Sequence, residues 1–207
     1  MLSTASPLNL DIILVPSPLK DDPEVVRRGK SLLERSTGYP TGIAATIGHI
    51  RAMKLISQSN DYWSIIIEDD VRFRRDFKEI VSRLESLRDV DVVSLGFVNF
   101  PHGTPHVYNG VGLIPFVGLS NPWGAQCYMI TREYAGHLAR TFEPDDLGES
   151  YSGNFVTDWV LFDRVLGCRR HTLTDPIAVE GPEEQTIAGS NNKPNLWDTV
   201  DINQFCV

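Results

Sequence analysis

Trp63-Ser64-Ile65-Ile66-Ile67-Glu68-Asp69-Asp70-Val71 (WSIIIEDDV) is the stretch on which the reading of this chain turns. The five residues before the acids are short enough for a strand, and an apolar run without alternation predicts one buried on both faces. Three carboxylates follow at once. Their mutual repulsion at the end of a buried strand is relieved by a divalent cation, because hard cations prefer carboxylate oxygens. In extended backbone Glu68 and Asp70 point to one side and Asp69 to the other. Glu68 and Asp70 can therefore share a ligand while Asp69 turns toward the backbone or a neighbouring loop. The same three residues also read as a solvated turn that ends a strand.

Upstream of this stretch, Leu10 to Val15 (LDIILV), closed by Pro16 and Pro18, predicts a first buried strand. Glu24 to Glu34 has helical character, the chain turns around Gly38–Gly42, and Ile43, Ile47, Ile50 and Met53 stand at helical spacing. Downstream, Phe77, Ile80, Val81, Leu84 and Leu87 form the clearest helical stripe, with Asp76 as N-cap and Glu79 three residues later. Asp91 to Leu95 predicts a third strand, ended by Gly96. Residues 99–124 hold five glycines and four prolines, which predicts a long irregular excursion. Gln126 to Ile130 returns to strand character, Thr131 caps a helix reaching about Arg140, and Thr157 caps another bearing Trp159, Phe162 and Leu166 on one face. Ile177 to Val179 is a last short strand, and the tail from Gly181 is rich in Gly, Pro and Asn.

Strands alternating with helices predict an α/β fold with a central, mostly parallel sheet flanked by helices. A length of 207 residues predicts a single domain, 1–207. Ligands of open α/β sheets bind at the carboxyl ends of strands. That rule puts Val15, Pro16 and Ser17, the Glu68–Asp70 run and Gly96–Asn99 on one rim.

Composition narrows the partners. The chain is 42% hydrophobic, enough for a core and too much for a disordered chain. Nineteen basic against 27 acidic side chains leave a net charge of −8, which argues against nucleic acid or anionic lipid as a partner. Cys127, Cys168 and Cys206 are widely spaced with no CxxC pair, so neither a disulfide framework nor a cysteine zinc site is expected. The opening MLSTASPLNLDIILVPSP lacks the charge and apolar pattern of a signal peptide, and no apolar run approaches the roughly 20 residues that span a bilayer. The expectation is a cytoplasmic protein without a transmembrane segment.

Three chemistries place acids after a strand. Haloacid-dehalogenase-type phosphoryl transfer needs Asp as the first residue, and here it is Glu68. Receiver domains need Lys and Thr/Ser on later strands, in an order that this chain does not supply cleanly. In nucleotide-sugar transfer the acids hold a metal that neutralises charge on a departing diphosphate.

GIAATIGHIRAMKLI (42–56) followed by IIIEDDVRF (65–73) resembles glycosyltransferase family 25, which includes bacterial lipooligosaccharide and collagen galactosyltransferases. DVVSLG (91–96), WGAQCYMITREYAGHL (123–138), TDWVLF (157–162) and DPIAVE (175–180) follow in the family's order and approximate spacing, so the resemblance covers about residues 42–190. Gly48 stands where the family usually has Ser, and Glu180 where it often has Gln. The resemblance implies a GT-A fold with a nucleotide-binding half over about 8–100 and an acceptor-side half over about 101–207. It implies a nucleotide-sugar donor, taken as UDP-linked, a glycan acceptor, inversion at the sugar, and Mn²⁺ or Mg²⁺ as cofactor.

It also implies roles. Asp70 is the metal ligand, with Glu68 assisting directly or through water, and Asp69 contacts the ribose or holds the loop. Asp158 is the general base, with Glu180, Asp145 and Asp146 as alternatives. A carboxylate in the first turn of a helix is also a common structural preference. His49 matches the family motif, although a lone His on a largely apolar helix is more often a hydrogen-bonded structural residue. His171 is a weak second candidate near the metal. Trp123, Gly124 and Trp159 form a sugar-stacking platform or belong to the core. Lys193, in GSNNKPN (189–195), meets a phosphate from a flap or sits in a surface loop. Two other classes stay open: a catalytically silent carbohydrate-binding relative, and a metal-dependent phosphohydrolase.

Overall fold

The computed structural model describes residues 10–33, 40–97, 103–115, 124–142, 157–158 and 168–180. In chain order the elements are α1 (Pro23–Leu33), α2 (Pro40–Gln58), β1 (Trp63–Ile67), β2 (Val71–Phe73), α3 (Phe77–Leu84), β3 (Val92–Ser94), β4 (His106–Tyr108), β5 (Val111–Pro115), β6 (Cys127–Thr131), α4 (Arg132–Phe142), β7 (Arg170–Leu173) and β8 (Ala178–Glu180). The fold is mixed α/β. Six strands form one sheet in the order β1-β6-β3-β7-β5-β4, and β2 pairs with β8 in a separate ribbon.

The sheet is mixed where a mostly parallel one is expected. β3 and β7 run parallel, whereas β5 runs antiparallel to both β7 and β4. At one end of the β1–β6 pair Glu68 N–H donates to Gln126 O (2.8 Å), and at the other Arg132 N–H donates to Tyr62 O (3.0 Å), so these strands also oppose. One source of the difference is a hairpin inside the supposed irregular excursion. Asn109 and Gly110 both adopt positive φ (49° and 77°), as the two central residues of a type I′ turn require. They join β4 directly to β5. Asn109 Nδ2 then donates to Arg83 O (3.1 Å), tying the turn to the end of α3.

The chain forms two compact units that are interleaved in sequence. In the first, drawn mainly from 65–129 and 169–180, the sheet residues supply the core. β6 is buried at all five positions, and Val92, Leu95, Phe97, Leu113, Ile177 and Ala178 are also buried. Each large apolar side chain so removed from water contributes about 1.5–3 kcal/mol. β1, read as buried on both faces, lies at the sheet edge, and only Ile66 of its five residues is buried.

The second unit, drawn from 13–64 and 130–168, is helical. Residues 46–50 of α2 are buried without a break, a pattern for a helix enclosed on more than one side. α2 packs against α1 and α4. Pro40 occupies its first turn, where a missing N–H costs nothing. Thr131 caps α4 as expected, its Oγ1 accepting from Tyr134 N–H (3.3 Å).

Two local expectations fail for identifiable reasons. Asp76 precedes α3 but makes no side-chain cap, because both its carboxylate oxygens are taken by Arg74 (2.6 and 3.0 Å). Glu79 pairs with Arg83 one turn on instead of reaching back. Charge-assisted bonds outbid a neutral N–H donor. Leu10–Val15 forms no strand, and Ile13 and Leu14 are more than 70% exposed. The segment is instead anchored at its proline end, where Arg51 Nη1 donates to Pro16 O (3.0 Å).

Candidate functional site

β1 delivers the three acids into a tight turn. Glu68 leaves the strand with its N–H on Gln126 O, Asp69 and Asp70 form the turn, and Val71 starts β2 opposite Glu180 of β8. Glu68 and Asp70 are half-buried and Asp69 is exposed, but Asp69 and Asp70 lie in a turn rather than in the extended backbone that the expected alternation assumed. One carboxylate oxygen of Asp70 is fully buried. The Cys127 thiol is pushed well above the ordinary cysteine range by burial and, second, by the Glu68 carboxylate, so Glu68 directs negative charge toward the start of β6.

Gln126 completes this corner, and sequence reasoning gave it no role. Its side chain is 2% exposed, and its Oε1 accepts no hydrogen bond from any described residue. A buried amide oxygen without a donor carries a desolvation penalty of about 1–3 kcal/mol. The corner therefore holds two half-buried carboxylates and a buried amide oxygen that accepts no hydrogen bond from a described residue. The signal in the sequence was a polar amide at the head of an otherwise apolar run, QCYMI.

Two glycines make the corner possible. Gly124 has φ of 150°, and a Cβ there would lie 2.6 Å from Phe97 Cα and 2.7 Å from Gln126 Oε1. A Cβ on Gly96 would lie 2.3 Å from Ala178 O. Close backbone approach at both positions brings the ends of β3, β6 and β8 together behind the acids.

The helical unit assembles a second set of the expected residues around α2. His49 is buried on this helix, at 7% exposure. At Gly48 a Cβ would lie 2.0 Å from Ser17 Oγ, so glycine admits the Pro16–Ser17 segment against α2. Val15 is half-buried and Pro16 exposed. Three residues before His49, Thr46 donates to Gly42 O (2.7 Å), and its Oγ1 lies 3.3 Å from Thr157 Oγ1. Thr157 and Asp158 are helical, Thr157 buried and Asp158 half-buried. Thr46 thus fixes the residue beside the candidate base; its position on the apolar stripe of α2 concealed it.

His171, the weak metal candidate, lies on β7 with its ring 5.2 Å from that of His106. Burial, then the neighbouring His106, lowers its pKa below the usual histidine value. Trp123, Trp159, Lys193, Asp145 and Asp146 lie outside the described residues, as does the side chain of Glu180. Among the described residues, no group of three or more His, Cys, Asp or Glu side chains is arranged to hold a metal ion, and no helix is long and apolar enough to cross a membrane. No family model matches the chain, and no curated protein matches it in sequence.

Proposed function

We propose that the chain is a metal-dependent glycosyltransferase, similar to family 25, that moves a sugar from a UDP-linked donor to a hydroxyl of a glycan acceptor. The observation that carries this reading is the end of β1, where half-buried Glu68 and Asp70 follow the strand directly, one Asp70 carboxylate oxygen is buried, and Glu68 N–H donates to the main chain of buried Gln126. One or two carboxylates suit Mn²⁺ or Mg²⁺. Such ions complete their shell with water and substrate phosphate rather than a full protein cage. When bound, the ion neutralises charge on the leaving diphosphate.

The chain's own residues do the rest. Asp158 accepts the proton of the acceptor hydroxyl as that oxygen bonds to the anomeric carbon and the bond from that carbon to the diphosphate oxygen breaks. Thr46, through Thr157, holds the backbone on which Asp158 sits. Asp69, exposed at the turn, is available to the ribose.

The test measures nucleoside diphosphate released from a panel of nucleotide-sugars with Mn²⁺ and glycan acceptors. Asp70→Ala is expected to lower turnover by roughly 10²-fold or more with the melting temperature retained. Asp158→Asn is expected to lose turnover while still binding donor. Wild-type turnover in Asp70→Ala ends the metal assignment. Loss of nucleotide affinity in Asp158→Asn moves the base elsewhere. Release of inorganic phosphate without acceptor replaces the transferase reading with a phosphohydrolase.

A further inference from the structure

Away from the acids, the six-stranded sheet brings two imidazoles together. His106 stands on the edge strand β4 and His171 on β7, with β5 between them. His106 lies opposite Leu113, and His171 lies opposite Pro115 two residues along β5, so both histidines occupy one face of the sheet. Their ring centres are 5.2 Å apart and their planes cross at 80°. Nδ1 of His171 is buried and makes no hydrogen bond. We propose that His106 and His171 bind one zinc ion, with Nδ1 of His171 as a ligand, and that the ion clips β4 to β7.

Distance is the first reason. With Zn–N at about 2.05 Å and roughly 1.15 Å from nitrogen to ring centre, each ring centre stands about 3.2 Å from the ion. A tetrahedral angle between two such ligands separates the ring centres by about 5.2 Å. A right angle, as square-planar or octahedral ions impose on neighbouring ligands, brings them to about 4.5 Å. The observed spacing is that of the tetrahedral pair.

The buried nitrogen is the second. An edge-to-face contact between two rings occurs at similar spacing, but it leaves Nδ1 of His171 without a partner, and an unsatisfied buried polar atom is costly. A metal ion supplies the missing partner. Burial, then the neighbouring His106, lowers the pKa of His171, so its ring is neutral near pH 7, the form that ligates. His106 is exposed at the sheet edge, where its ring can turn to admit an ion from solvent. Imidazole suits zinc, whereas Mn²⁺ and Mg²⁺ prefer oxygen ligands. This site and the carboxylates after β1 therefore select different ions, and the proposal is independent of the glycosyltransferase reading.

Calorimetry of the full chain with ZnCl₂ at neutral pH, and the visible spectrum with Co²⁺ in place of zinc, test it. One zinc per chain is expected to bind, undisturbed by excess MnCl₂, and bound Co²⁺ should show the intense bands of a tetrahedral ion. His106→Gln, at an exposed position, should weaken zinc by about tenfold or more, and His171→Gln by a similar factor. Zinc at about 100 times its Kd should raise the melting temperature by about 5–10 °C, and by at most about half as much in His106→Gln at the same concentration. Asp70→Ala should leave zinc affinity unchanged. Absence of saturable binding up to about 1 mM, affinity unchanged in His106→Gln, or the faint spectrum of octahedral Co²⁺ overturns the site. Loss of zinc in Asp70→Ala overturns it as well, by moving the ion to the carboxylates.

Discussion

Replacing Gly124 with alanine puts a methyl group where the backbone leaves no room for one. The new Cβ would stand 2.6 Å from Phe97 Cα, 2.7 Å from Gln126 Oε1 and 3.0 Å from Gly96 O. Two of these atoms belong to the main chain, so relief requires moving a strand end rather than a rotamer. The φ of 150° adds backbone strain of about 1–3 kcal/mol for any residue with a Cβ. Overpacking adds about 1–3 kcal/mol. At roughly 2–4 °C per kcal/mol for a chain of this length, the melting temperature should fall by about 12 °C. Gly110→Ala provides the comparison. Its φ is also positive (77°), but its Cβ would meet only the Arg83 guanidinium at 3.3 Å, the far end of an exposed side chain that can swing away. That variant should lose about 1 kcal/mol, or roughly 3 °C. Thermal melts followed by circular dichroism decide the matter. Equal losses in the two variants, or a Gly124→Ala melt within about 2 °C of wild type, would refute the close approach of β3 and β6 at the corner.

Three further outcomes follow from the same contacts. Thr46→Val removes the hydroxyl that meets Thr157 and should lower stability by about 1 kcal/mol while reducing turnover more than donor affinity; unchanged turnover would detach Thr46 from the site. His171 binds its proton less readily folded than unfolded, so stability should decline as pH falls through the ordinary histidine value of about 6.5 and level off below the depressed folded value. His171→Gln should flatten that part of the profile, and a variant with the wild-type slope would contradict the assignment. Cys127, buried and with its thiol pKa raised, should resist iodoacetamide in the native chain while half-buried Cys168 reacts; equal labelling rates by mass spectrometry would contradict the burial of β6.

The helices were the legible part. α2, α3 and α4 each announce themselves by apolar spacing, and Pro40 and Thr131 mark the starts of two of them. What periodicity cannot reveal is competition for the same atoms. The Asp76 carboxylate was available to cap α3 until Arg74, two residues away, claimed it. Burial of strands was harder still. WSIII is apolar enough for a central strand, yet its place in the sheet depends on pairing partners distant in sequence, and the order leaves it at an edge. The β4–β5 hairpin shows the opposite error. The Asn109-Gly110 pair is a strong local turn signal, but it was submerged in a segment whose overall glycine and proline content suggested a loop.

At the candidate site, the acids were legible because three consecutive carboxylates after an apolar run are chemically conspicuous. Gln126 and Thr46 were not. Each is a single uncharged polar residue whose significance comes from burial and from a neighbour far away in sequence, Glu68 for one and Thr157 for the other. Gly48 belongs with them: only the approach of Ser17 reveals why a side chain is excluded there.

The central claim is that the carboxylates after β1 hold a divalent cation that in turn holds a diphosphate. Crystals soaked with MnCl₂ and UDP, with data collected at the manganese absorption edge, test it most directly. The account predicts an anomalous peak about 2.1 Å from an Asp70 carboxylate oxygen, bridged to diphosphate density. Bound UDP with no peak at Asp70, or a peak that survives unchanged in Asp70→Ala, would contradict it.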